Sequence, residues 1–382
     1  MIEPSRLVRD VWQAMSIKYN NLVYEMKQRG EDIVVLSLGE AFFDFPIWSF
    51  DELPHPSIHH YSHSRGIIQL RRNIATYFAD QYDFRFNPET NIILTSGSKA
   101  AIYMALLSIL NPEDEVIIYE PAWVSYTEMV KLCHGKPVTV PYYETIYHFE
   151  KYITPRTKCI ILNNPNNPVG KVFPDEELKF LLRLAQKNSF FLLSDEAYSD
   201  FLMEDEKFIS LGTLDKDLAN SIVCNSVSKN YGISGWRIGY VIAHQILINE
   251  ILKVQQHIIT CPATILEYYL AKYFFELIKI TKPQIFEVVK KRQKIGEFMK
   301  KIGLEFIPGT ATFYFFVSIL PSKLASEEFC TRLLLEDHVS TVPGLGYGQS
   351  CDHFIRVSIG TEPWDRTIRG IECIKNLIDK TC

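Results

Sequence analysis

"CIILNNPNNPVGKVFPDEELKFLLRLAQKNSFFLLSDEAY", Cys159 to Tyr198, sets a short apolar run, a helical pattern and a second apolar run end to end. "CIIL" and "FFLL" are uniformly apolar, as strands covered on both faces are, while "ELKFLLRLAQK" repeats its apolar residues at three- and four-residue spacing. The same alternation extends upstream through "AAIYMALLSIL" and "EVIIYE" and downstream through "IVCNSV" and "GYVIA". It predicts an α/β chain whose large domain is a three-layer αβα stack around a mostly parallel sheet. Each run ends in polar or turn residues, so "NNPNNPVG", "SDEAYSDF" and "SVSKNYGISGWR" fall at one end of the strands. Ligands of such sheets collect outside the carboxyl ends.

After Ala243 come three long helical patterns, "HQILINEILKVQQHI", "ATILEYYLAKYFFELI" and "QIFEVVKKRQKIGEFMKKIG". A smaller α+β unit follows, with "FYFFVSI" and "HFIRVSIG" as strands and "SEEFCTRLLLED" and "RTIRGIECIKNLI" as helices. The first forty or so residues are expected to pack with it. This places the large domain at 40–290 and the small one at 1–39 and 291–382.

The chain has 382 residues, 47% hydrophobic and 22% charged, with a formal net charge of -5. That balance suits a folded globular protein and argues against nucleic acid as the main partner, which selects a basic face. Eight cysteines lie far apart without a CxxC pair and read as reduced core thiols of a cytoplasmic protein. "MIEPSRLVRDVW" lacks the order of a secretory signal, and "ATFYFFVSIL" covers about half of the ~20 residues a spanning helix needs. No membrane segment is expected. His55, His59, His60 and His63 have no cysteine or carboxylate at ligand spacing and read as a polar loop, so no metal site is assigned.

"SVSKNYGISGWRIGY", Ser226 to Tyr240, has two readings. Ser226, Ser228 and Arg237 around Lys229, with Gly232 and Gly235 allowing close approach, make a phosphate cradle beside an amine. Equally, it is a strand end followed by a glycine-rich loop with an exposed lysine. Asp195 ends an apolar strand, where a carboxylate needs a cationic or hydrogen-bonding partner or else simply closes a turn. Tyr198 follows it, and Asn167 precedes Pro168 after another strand. Gly97, Ser98 and Lys99 stand between a strand and a helix, where backbone amides bind phosphate. Trp123 is either core or a flat surface for a ring.

Pyridoxal phosphate chemistry uses this whole set: a lysine for the Schiff base, donors and an arginine for the phosphate, a carboxylate for the pyridine nitrogen, and an aromatic stacking partner. Here the sequence resembles the class I and II aminotransferases, fold type I enzymes of the aspartate aminotransferase kind. "SVSKNYGISGWRIGY" is similar to that family's S-x-S-K-x-x-x-x-x-G-W-R-x-G signature, "NNPNNPVG" to its N-x-P-N-N-P-x-G, and "SDEAY" to its S-D-E-x-Y.

The resemblance implies pyridoxal 5'-phosphate as cofactor, joined to Lys229, which then moves a proton between substrate and cofactor carbons. Asp195 would hold the pyridine nitrogen protonated, Asn167 and Tyr198 would donate to the ring oxygen, and Trp123 would stack on the ring. Gly97, Ser98, Lys99, Ser226, Ser228 and Arg237 would surround the phosphate, Ser98 and Lys99 through backbone amides, with the Lys99 ammonium solvated. Arg356 would pair with the substrate α-carboxylate beside a backbone donor at Gly39, and Asn167 would also border the substrate. Tyr61 would reach the phosphate of a second subunit, implying a homodimer with sites at its interface.

Amino transfer from an L-amino acid to a 2-oxo acid, in two half-reactions, is the implied activity. A β-eliminating lyase on the same fold would use the same residues and release ammonia. "GEAFFDF", Gly39 to Phe45, stands where relatives commonly have G-E-P-D-F, and Phe42 and Phe43 there favour an aromatic or sizeable neutral substrate side chain.

Overall fold

The opening βαβ reading holds in the computed structural model, which describes residues 2–203 and 205–382. In chain order its strands are β1 (Val34–Val35), β2 (Ile92–Thr95), β3 (Glu115–Tyr119), β4 (Lys136–Val140), β5 (Thr157–Asn163) and β6 (Phe191–Asp195). They continue with β7 (Ser221–Ser226), β8 (Gly239–Ile242), β9 (Tyr314–Ser318), β10 (Val339–Ser340), β11 (Val342–Pro343) and β12 (Phe354–Ser358).

Between β5 and β6 the helix Asp175–Asn188 starts on Asp175, Glu176 and Glu177, whose charges complement the helix dipole, and ends where Ser189 turns left-handed at φ 58. It buries Leu178, Leu181, Leu182 and Ala185 on one face. Its return sets β6 parallel to β5, with Asn163 opposite Asp195. The seven strands run in the order β2-β8-β7-β6-β5-β3-β4, and β8 is antiparallel to both of its neighbours.

One face of this sheet packs on helices Ile68–Tyr82 and Asp175–Asn188 through residues such as Ile74, Phe78 and Leu181. The other packs on Ser98–Ile109 and Gln245–Ile258 through Ile102, Leu106 and Ile248. These are the three layers expected, with the loops after β5, β6 and β7 emerging together at the carboxyl ends.

A second core joins Tyr19, Val23 and Ile33 to Ile295, Phe315, Ile355 and Ile374, so residues 19–36 pack with the end of the chain, while Trp12 lies against Glu128 of the larger unit. There β12 lies between β11 and β9, antiparallel to both, and β1 pairs with β10 in parallel.

Two expectations are revised. The second and third helical patterns after Ala243 form one helix, Thr264–Lys301, with a kink at Tyr273 and Pro283 inside it. Leu277, Thr281, Ile285 and Val289 keep the buried stripe unbroken, and the Gln284 side chain donates to the Ile280 carbonyl at 3.1 Å beside the proline. The cysteines are unpaired, but only five are buried; Cys261 and Cys373 are half-buried, and Cys382, which follows the helix Trp364–Lys380, is exposed. No described helix is long and apolar enough to cross a membrane.

Candidate active site

A cavity of about 330 Å³ opens at the carboxyl ends of β5, β6 and β7, closed from the other side by β12 and the segment before residue 41. Gly39, Ser98, Lys99, Trp123, Asn167, Asp195, Tyr198, Ser228, Lys229, Arg237 and Arg356 all line it. Residues up to 340 positions apart thus meet in one pocket, Ser16 and Arg356 being the extremes.

Lys229 sits on the one-turn helix Val227–Asn230 directly after β7. Its ammonium donates to the Gly39 carbonyl at 2.5 Å. Burial draws its pKa down to about 8, with Glu40 opposing and Arg356 and Arg237 adding to the fall. The amine therefore sheds its proton far more readily than a solvated lysine.

Asp195 ends β6 inside the protein, where burial pushes its carboxyl up to about 6 against the hydrogen bonds it accepts. The Tyr126 hydroxyl donates to Oδ2 at 2.7 Å and the Ala197 amide to Oδ1 at 3.2 Å. These two donors are what keep a carboxylate tenable there.

Arg356, 3% exposed, occupies the middle of β12. Its Nη2 donates to the Ser37 carbonyl at 2.6 Å and its Nη1 to Asn167 Oδ1 at 3.4 Å. Its guanidinium lies 4.5 Å from the centre of the Tyr314 ring, and Nε has no partner among the described residues. The Asn167 side chain donates in turn to the Tyr198 hydroxyl at 3.4 Å, which is 2.9 Å from the hydroxyl of Tyr314.

At the opposite wall the helix Ser98–Ile109 starts after Gly97, which has φ +84. The Arg237 guanidinium fills the space a Cβ at residue 97 would need, and its Nη1 donates to the Ser234 carbonyl at 2.6 Å. The free amides of the helix start, Ser228, Arg237 and the Lys99 ammonium make this wall an anion cradle.

Several of the expected residues have particular surroundings. Ser226 does not line the cavity: its hydroxyl caps the Val227–Asn230 helix by accepting from the Ser228 amide at 3.3 Å. Gly97 supplies room for Arg237 rather than lining surface. Lys99, an exposed residue, holds its ammonium 5.1 Å from the centre of the Trp123 ring, whose face attracts a cation. Gly39 engages through its carbonyl, to Lys229. Phe43 stacks on Phe201 with centroids 6.2 Å apart and Phe42 is exposed, so neither shapes the cavity; Ile17, Asn20, Leu38 and Tyr314 do.

Tyr61 is 85% exposed and lies outside this cavity. Tyr126 and Tyr314 are functional candidates that the sequence reading missed, both set in apolar surroundings that disguise a polar role.

The profile described as "Aminotransferase class I and II" matches residues 27–367. Aromatic-amino-acid aminotransferase 2 of Thermococcus litoralis is 31% identical over 350 residues, 89% of this chain and 90% of that one. Aspartate aminotransferase of Pyrococcus abyssi is 32% identical, covering 87% and 88% of the two chains. Among solved structures, aspartate aminotransferase from Thermus thermophilus with maleate superposes with a TM-score of 0.88 at 28% identity, over 99% of this chain and 100% of that one.

Proposed function

The chain belongs to the class I and II aminotransferase family, and from that premise we propose that its cavity transfers the amino group of an L-amino acid to a 2-oxo acid in two half-reactions. The observation that carries this is the joint position of Lys229, Asp195 and Arg356 on three walls of one pocket.

The cavity fits pyridoxal 5'-phosphate. A buried lysine with a depressed pKa suits an aldehyde, a buried carboxylate with no cation bonded to it suits a ring N–H, and the cradle of Ser98, Lys99, Ser228 and Arg237 suits a phosphate. Trp123 offers its ring to the cofactor ring, and Asn167 and Tyr198 offer donors to the ring oxygen. Bound there, the cofactor supplies an aldehyde that takes up the amino group and a ring that withdraws electrons from the substrate carbon.

The chain's own residues do the rest. Arg356 holds the α-carboxylate with its planar guanidinium and so fixes which substrate bond faces Lys229. Lys229, near neutrality, removes the proton from the substrate α-carbon and returns one in the reverse direction. Asp195 stays ionised because Tyr126 and Ala197 donate to it.

The division into a large domain, 40–290, and a small one, 1–39 with 291–382, is part of this proposal, as is a homodimer in which Tyr61 serves the second subunit's phosphate. The exposure of Tyr61 is what a residue given to another chain would have.

The test is a single-turnover panel. Holoprotein without acceptor should form about one 2-oxo acid per site from its donor, and catalytic amounts once a 2-oxo acid is added. The panel includes aspartate and aromatic amino acids, since the relatives divide between them. Ammonia released without any acceptor would replace this reading with the β-eliminating one.

A further inference from the structure

Tyr314 makes a second link, beside Asn167, between Arg356 and Tyr198. Its ring lies 4.5 Å under the Arg356 guanidinium, and its hydroxyl is 2.9 Å from that of Tyr198, both buried. A Cβ on Gly39 would stand 3.0 Å from the same hydroxyl and 3.7 Å from both Arg356 terminal nitrogens, so only a glycine fits this close to the group.

Hydroxyl counting allows two orientations of the pair, and the cation beside it favours one. A phenol has one proton to give and lone pairs to receive, and the Tyr198 oxygen already receives the Asn167 side-chain amide at 3.4 Å. A cation over a phenol ring draws electron density from it and makes its O–H the stronger donor. Burial raises the proton affinity of both phenols, and the Arg356 charge opposes it at both, most directly at Tyr314, over whose ring it lies. Either hydroxyl can donate across this contact; with the Tyr314 proton given to Tyr198, the Tyr198 proton is left to point into the cavity. The other charged groups acting on the pair are Glu40 at Tyr314 and Asp195 at Tyr198.

We propose that Tyr314 is a positioning residue which holds Arg356 flat with its ring and, through its hydroxyl, aims the proton of Tyr198 at the cofactor's ring oxygen. This rests on the transaminase reading above and adds a division of labour within one side chain, ring for substrate and hydroxyl for cofactor.

Two variants separate the halves, measured on holoprotein. Tyr314→Phe should move the pH midpoint of the bound cofactor's visible absorbance upward by roughly half a unit, as loss of one neutral hydrogen bond felt at one remove would. Its KM for the amino acid should stay within about twofold. Tyr314→Leu should move the midpoint likewise and raise KM by about three- to thirtyfold, the worth of a buried cation over an aromatic face.

An unmoved midpoint in Tyr314→Phe, or an unmoved KM in Tyr314→Leu, would overturn the proposal while leaving the transaminase reading standing. A wild-type chain whose cofactor gives no such titration would remove both.

Discussion

Tyr126 donates its hydroxyl to Asp195 Oδ2 at 2.7 Å, and both side chains are shut away from water. This bond offsets part of the burial that pushes Asp195 up to about 6. Tyr126→Phe would drive the carboxyl higher still and leave it more protonated near pH 7, unable to accept from a ring N–H. Cofactor affinity should fall about tenfold or more, the worth of a hydrogen bond to a charged group, and recover in part at higher pH. Titration of apoprotein with pyridoxal phosphate at pH 7 and 8.5 checks it; equal affinity to wild type would refute the role.

The pKa of about 8 at Lys229 gives the site a pH signature of its own. Only the neutral amine attacks an aldehyde, so the rate of cofactor incorporation into apoprotein should climb with pH and level off just above 8. A solvated lysine would keep climbing toward ~10.4.

Arg356→Lys keeps the charge but loses the planar fork and the stacking on Tyr314. KM for the amino acid should rise about tenfold or more, with a smaller change in kcat. Steady-state kinetics reading an unchanged KM would place the α-carboxylate elsewhere.

Glu267 bears on stability rather than chemistry. Burial pushes it up to about 7, against the Ser62 hydroxyl that donates to it at 2.6 Å. Because the folded pKa lies above the unfolded one, its contribution is full below the ordinary carboxylate range and is lost as pH rises through 7. Glu267→Gln mimics the protonated form, so at pH 8 it should be more stable than wild type, on the order of 3 kcal/mol for a shift of that size. At pH 5 the difference should shrink. Thermal melts at the two pH values decide, and parallel profiles would contradict the assignment.

The sheet and its pocket end were legible because strands covered on both faces leave uniform apolar runs, and because Asn163, Asp195 and Ser226 mark where those runs stop. The anion cradle was legible for the same reason, as polar residues clustered after strands. Arg356 was visible only by resemblance, since one arginine in a strand pattern carries no spacing that identifies it. Tyr126 and Tyr314 were not legible at all: their partners lie 69 and 116 residues away, and "WVSYTEM" and "TFYFFVS" read as core aromatics. Composition says nothing of the direction Phe42 and Phe43 take. Phe43 turns onto Phe201 and Phe42 to solvent.

Lys229→Ala in the single-turnover assay bears most directly on the reaction. Wild-type holoprotein should form about one 2-oxo acid per site from its amino acid donor. The variant should keep its fold, lose the absorbance of lysine-bound cofactor and form the oxo acid at least about a hundredfold more slowly, as loss of a positioned base implies. Oxo acid formation at the wild-type rate in Lys229→Ala would contradict the assignment of that lysine and the mechanism built on it.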